Sequence, residues 1–226
     1  MDAEFTRTLV TCRKCARLVD YLQTLAPKGP RTRSDYWNRP VPGFGDPAAQ
    51  VLLVGLAPGA HGANRTGRPF TGDGAGDFMY PLLHQVGFAS QPEVSHAGDG
   101  LHLTDLYISN AVKCVPPENK PTAAEFAHCR PFLAQELAAL PQLKVVLALG
   151  QGAFTSCLRL FKEQGVIASL GSFPFGHGVS YPLENGLTLV ASYHTSRYNV
   201  QTRRIDEAMF LQLLRRVRRL AAGENG

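Results

Sequence analysis

Four short apolar runs punctuate the chain: Val51–Ala57, Leu106–Val112, Val145–Leu149 and Leu187–Ser192. Each is flanked by turn-forming residues and is too continuously apolar for a half-exposed strand. This pattern predicts parallel strands covered on both faces. Elsewhere the apolar spacing becomes helical, over Asp73–Val86, Pro121–Leu140, Gln151–Lys162 and Arg204–Ala222. The last of these sets Ile205, Met209, Phe210, Leu213, Leu214, Val217 and Leu220 on one face. Residues 1–50 read as a helix followed by a Pro-rich wrap. Alternating strands and helices predict an α/β protein, a three-layer α/β/α sandwich around a central four-stranded, mostly parallel sheet. With no repeat and no linker, residues 1–226 read as one domain. In such folds ligands sit beyond the carboxyl ends of the strands.

The composition is that of an ordinary globular chain, with 44% hydrophobic and 18% charged residues. No run approaches the ~18 apolar residues needed to cross a bilayer. The charged N-terminus has no apolar leader core, so a cytoplasmic, nucleoid-associated monomer is expected. The formal charge of +5 mildly favours a polyanionic partner. Five cysteines, an odd number, argue against a disulfide framework. Cys12 and Cys15 form a C-x-x-C pair among Arg13, Lys14 and Arg17, a surround that suits thiolates better than a core. Cys114 sits at a strand's edge before Pro116 and Pro117, and Cys129 follows a helix-like stretch. Four thiolates from three segments suit a tetrahedral zinc or a [4Fe–4S] cluster, and spacing does not choose between them. Cys157, on an apolar helix, reads as core.

Two strand-end loops carry the candidate chemistry. The first, Gly55 to Gly76, holds seven glycines in 22 residues and lets backbone amides approach a ligand. It matches neither a dinucleotide fingerprint nor a P-loop. Within it Phe70 is placed to stack on a planar ligand, and Asp73 stands at the start of a helix, a good cap position. The second loop begins just past the fourth strand with His194. Ser196, Arg197 and Asn199 add hydroxyl, cation and amide groups suited to a phosphate backbone. Lys113, Lys120, Arg130, Arg203 and Arg204 are further candidates for phosphate contact.

These residues resemble the uracil-DNA glycosylase superfamily, specifically its iron–sulfur branches, families 4 and 5, over nearly the whole chain. Gly55-Leu-Ala-Pro-Gly59 with Gly67-Arg-Pro-Phe-Thr-Gly72 resembles the first family motif. Lys113-Cys-Val-Pro-Pro117 resembles the cluster-binding strand end, and His194-x-Ser196-x-x-Asn199 the DNA-intercalating loop. The resemblance implies a [4Fe–4S] cluster on Cys12, Cys15, Cys114 and Cys129, and DNA containing uracil or another deaminated base as partner. It places Gly55, Ala57, Gly59, Phe70, Asn110 and Asn199 at the substrate. Catalysis falls to Asp73, Asn119 and His194, and DNA contact to Ser196, Arg197, Arg203 and Arg204. One departure stands out. Family 4 has Glu at the position of Leu56, and other uracil enzymes have Asp at that of Ala57, so the chain is most similar to family 5. Asn110, however, matches the family 4 position whose amide reads uracil. The apolar Leu56 and Ala57 also admit larger bases, hypoxanthine or xanthine, and motivate the alternative of a non-catalytic, metal-stabilised DNA-binding module.

Overall fold

The computed structural model describes residues 2–224. Its strands are β1 (Phe44–Gly45), β2 (Val51–Gly55), β3 (Leu106–Asn110), β4 (Val145–Leu149), β5 (Ser180–Pro182) and β6 (Thr188–Ser192). They form one sheet in the order β1-β3-β2-β4-β6-β5. The four expected strands are its parallel centre. To these the structure adds β1 and β5, two antiparallel edges that the apolar pattern does not announce. Both are only two or three residues long and contain Gly45 or Pro182, residues tolerated where one side of the ladder needs no donor.

The central strands are almost wholly buried, yet their side chains alternate between two cores. Val51, Leu53, Ile108, Val145, Leu147 and Val190 face α4 (Gly74–Gln85) and α8 (Glu207–Ala222). Leu52, Val54, Tyr107, Val146, Ala148 and Leu189 face α5 (Ala123–Ala138) and α6 (Gln151–Glu163). The three layers follow from that alternation. The N-terminal segment holds α1 (Ala3–Val10) and α2 (Ala16–Thr24), and α2 buries Leu18 and Leu22 against Val112, Val115, Cys114 and Cys129. Short helices α3 (Ala63–Thr66) and α7 (Arg197–Gln201) lie in the two strand-end loops.

The helix starts are set by caps. Thr122 and Glu125 close a capping box on α5, and Asp206 accepts from the Met209 amide to open α8. That cap leaves Arg204 outside the helix. The parallel registers pair Gly55 with Asn110 and Leu149 with Ser192, so the carboxyl ends of all four central strands reach the same edge. Among the described residues no helix is long and apolar enough to cross a membrane.

Candidate active site

At that edge Gly55, Asn110 and Phe70 meet. A Cβ at Gly55 would lie 2.5 Å from the Phe70 ring and collide with Asn110 Oδ1. Only glycine leaves room for both side chains. Asn110 is 3% exposed, and its Oδ1 has no hydrogen-bond partner. Such an orphaned acceptor is costly in a folded chain and marks a site where a ligand donates. Phe70 adopts a left-handed backbone, φ +51°, a conformation that persists when its surroundings over-determine it. Here they do. Arg68, 3% exposed, forks onto both oxygens of Asp99 at 2.8 and 2.6 Å and donates to Thr71 Oγ1. The Tyr80 hydroxyl donates to the Pro69 carbonyl. The Phe70 ring lies 6.2 Å from the His194 ring, tilted by 34°.

His194 stands two residues past the end of β6. Its carbonyl accepts from Asn199 Nδ2 at 2.8 Å, and Ser196 Oγ accepts from the Asn199 amide to cap α7. Asn199 and Ser196 therefore brace the loop on which His194 sits. The imidazole ring makes no hydrogen bond among the described residues. Burial pushes its pKa below the ordinary 6.5, partly opposed by the Asp73 carboxylate. The ring is neutral at physiological pH and free to donate. Asp73 divides its two oxygens. Oδ1 accepts from the Ala75 and Gly76 amides and caps α4, while Oδ2 has no hydrogen bond and faces Gly59, where a Cβ would come within 2.9 Å.

A cleft of about 300 Å³ opens beside His194, walled by Leu56, Leu149, Gly150, Tyr193 and Asn199. Arg204 also lines it, with its guanidinium 4.8 Å above the Tyr193 ring. Phe70, Asp73 and Asn110 are not on its walls; His194 joins them to it. Arg197 lies over the start of α4, its Nε 3.0 Å from where a Cβ of Gly74 would be. Arg203 is exposed. Ala57 turns away from the cleft and packs with Cys114 and Val112. Asn119 is on an exposed turn with φ +57°, and no hydrogen bond ties it to Asp73 or His194. Two expected phosphate contacts are corrected. Lys113 is 1% exposed, with Nζ bonded to Ser109 and 2.5 Å from the Glu136 carboxylate. Arg130 is buried and paired with Glu163. Lys120 is exposed but bonds Glu118 at 2.9 Å.

The structure also singles out residues that the sequence reading passed over. Tyr198, at the tip of the His194 loop, is 73% exposed. Its signal was an aromatic residue in an otherwise polar run. Asp99, which locks the Phe70 loop through Arg68, had no local signal.

Cys12, Cys15, Cys114 and Cys129 all line one enclosed space, with Lys14 and His128 beside them. Burial and the neighbouring sulfurs push the Cys15 thiol up to about 11 and raise Cys114; burial also raises Cys129, which nearby Lys113 partly offsets. Thiols so placed give up their protons only to a strong cation. The Lys113 amide donates to Cys129 Sγ at 3.5 Å. Among the described residues no three His, Cys, Asp or Glu side chains are grouped so as to hold one metal ion. Cys157 is separate and buried in α6, its thiol raised to about 12 by burial.

The sequence profile of the Uracil DNA glycosylase superfamily matches residues 42–218. The chain is 50% identical over 223 residues to the type-5 uracil-DNA glycosylase of Thermus thermophilus, covering 98% of this chain and 99% of that one. It is 41% identical to the type-5 uracil-DNA glycosylase of Mycobacterium leprae, covering 96% and 95%. With the type-4 uracil-DNA glycosylase of Archaeoglobus fulgidus the identity is 30%, over 70% of this chain and 64% of that one. With the profile matched over residues 42–218 and half the residues shared with a relative along nearly its full length, the chain belongs to the uracil-DNA glycosylase superfamily.

Proposed function

We propose that this chain hydrolyses the N-glycosidic bond of uracil in DNA, leaving an abasic site, as a monofunctional glycosylase of base excision repair. The observation that carries this reading is the orphaned Oδ1 of Asn110 beside the Phe70 ring. Uracil N3–H supplies the donor this acceptor lacks. Cytosine has no hydrogen on N3, and pairing it here would leave two acceptors facing each other. A site built around one hydrogen bond discriminates strongly against a base that cannot make it.

A stacked base is out of reach, so the nucleotide is extruded at a cost of a few kcal/mol. Phe70 stacks on the extruded base, and Arg197, Arg203, Arg204 and Ser196 hold phosphates around it. The C1′–N1 bond breaks with its electron pair passing to uracil. Negative charge gathers on O2, where the neutral His194 ring donates; one such donor typically contributes ~10²–10³ in rate. Asp73 Oδ2 positions the water whose oxygen bonds C1′, and its carboxylate stabilises the cationic sugar. The proton released by that water passes through Asp73 to the departing uracil. Because bond breaking leads, water needs placement more than a strong base, and the apolar Leu56 and Ala57 are tolerated. The same two residues support a site that also takes hypoxanthine or xanthine. Asn119 is exposed and enters no step.

The four cysteines support a [4Fe–4S] cluster. Four cysteine thiols around one space are the donor set that a [4Fe–4S] cluster takes. Bound there, it would pin α1 and α2 to the segment that carries Cys114. A single-domain, cytoplasmic monomer completes the reading. Incubation with a uracil-containing oligonucleotide followed by alkali tests it. Strand breakage at uracil is expected, and binding without breakage would overturn it in favour of a non-catalytic module.

A further inference from the structure

A second groove of about 270 Å³ lies beside the cleft, between the N-terminal turns of α5 and α6, and shares Gln151 and Gly152 with it. Gln151, which is exposed, and Gly152 form the junction. Gly152 packs closely there: a Cβ would come within 2.7 Å of Leu56 Cδ1 and 4.0 Å of the Phe126 ring, so a larger residue would displace the Leu56 side chain that walls the cleft. The groove has three kinds of wall. Phe126 presents an aromatic ring from α5. Ser156, 2% exposed, contributes a buried hydroxyl without a partner. Arg159 stands at its exposed margin and pairs with no carboxylate among the described residues. A ring face, an unmet hydrogen-bonding group and a free cation in one hollow match the base, base edge and phosphate of a nucleotide.

We propose that this groove is a second nucleotide subsite, which receives a nucleotide neighbouring the extruded one on the same strand. Its base lies against Phe126 with an edge bonded to Ser156, and its phosphate meets Arg159. The inference rests on the active-site reading above, because that reading places the damaged strand in the adjoining cleft. It extends that reading by assigning α5 and α6 a grip on the flanking strand that the strand-end loops do not supply. A strand held in both hollows crosses the boundary that Gln151 and Gly152 form.

The test uses single-stranded oligonucleotides with an uncleavable tetrahydrofuran abasic analogue at a fixed position, lengthened one nucleotide at a time on either side. Binding to the holoprotein is followed by fluorescence anisotropy. Lengthening on one side is expected to raise affinity about 5- to 150-fold at one step, the range for a base stacked on an aromatic ring. Phe126→Ala and Arg159→Ala each lose most of that step and bind the shorter oligonucleotides as the wild type does. Arg159→Ala also lowers the salt slope by about 0.7, one phosphate on a single strand. Phe126→Leu, which keeps apolar bulk without the ring face, loses the step too and covers the case in which alanine disturbs packing. A step that survives in Arg159→Ala and Phe126→Leu, or no step on either side, overturns the subsite. Cleavage of matched uracil oligonucleotides is scored separately. Wild-type protein that cleaves none of them overturns the active-site reading, while the binding series still decides the groove.

Discussion

Asn110→Ala should make the protein a poorer enzyme and no less stable, a combination that separates a ligand-reading amide from a structural one. An unpaired buried acceptor costs the folded state about 1–3 kcal/mol. Truncation removes that penalty and leaves roughly 30 Å³ of space, worth about 0.7 kcal/mol at ~24 cal/mol per Å³. The net expectation is a stabilisation of about 0–2 kcal/mol. For a chain of this size that is a rise of up to about 8 °C in Tm, at ~2–4 °C per kcal/mol. In this reading Asn110 accepts from uracil N3–H through Oδ1 and donates to O4 through Nδ2, and these two bonds, at ~0.5–1.5 kcal/mol each, are lost from the bound complex. Single-turnover cleavage at subsaturating enzyme should then fall roughly 5- to 150-fold. Differential scanning calorimetry and a gel assay on one uracil oligonucleotide read the two effects. A Tm drop of several degrees with cleavage intact would show that the amide braces the fold and that its unpaired oxygen waits for no base.

The remaining expectations are briefer. His194→Ala should lower single-turnover cleavage by ~10²–10³, with binding to an abasic analogue largely kept. Burial holds His194 and His177 below the ordinary pKa of 6.5, so below that pH the unfolded chain binds more protons than the folded one. Their stability contribution is complete above pH 6.5 and is lost as pH falls through the folded values; urea titrations should show this, and the double Asn variant should flatten it. Glu136→Leu strands the Lys113 ammonium in the core and should cost about 3–5 kcal/mol. Lys113→Met with Glu136→Leu should recover most of that loss, and equal damage in single and double variants would refute the pairing argument. Cys129→Ser should abolish the iron–sulfur absorbance of purified protein, whereas Cys157→Ala should leave it unchanged.

What could be read from sequence followed how locally each feature is specified. β4 was legible to the residue because Val145–Leu149 is apolar throughout and ends at Gly150. The runs in β2 and β3 overshoot by two residues each, for one physical reason. Leu56, Ala57, Ala111 and Val112 are apolar but leave the sheet: Leu56 lines the cleft, Ala57 and Val112 help bury the cysteine-bearing segment, and Ala111 stays in the sheet's core layer. Burial holds for Ala111 and Val112, whereas Leu56 and Ala57 are only half-buried, and none of the four is in a strand. Phe70 and Asp73 were visible as oddities in a glycine-rich loop. Asp99 was not, because the bond that locks Phe70 joins residues 31 positions apart with no periodic pattern between them.

The cations show the limit most clearly. Lys113, Arg130 and Arg204 look alike in sequence, each basic and each near a strand end or a binding loop. The structure separates them by their acids. Glu136 and Glu163, on α5 and α6, reach Lys113 and Arg130 and hold them in the protein, and no sequence window contains both members of either pair. A buried cation that has found its carboxylate cannot also neutralise a phosphate without giving up that partner, which for Lys113 would strand Glu136 in the core. Arg159, Arg197, Arg203 and Arg204 have no such acid among the described residues. Arg204 stands at the first cleft, Arg159 at the second groove, Arg197 over the start of α4, and Arg203 between helices α7 and α8. Lys and Arg number 23 against 18 Asp and Glu, and five of the 23 pair with a carboxylate among the described residues. Lys113 and Arg130 are among those five, so the salt dependence of binding should follow unpaired cations at the binding face, such as these four arginines, and not Lys113 or Arg130.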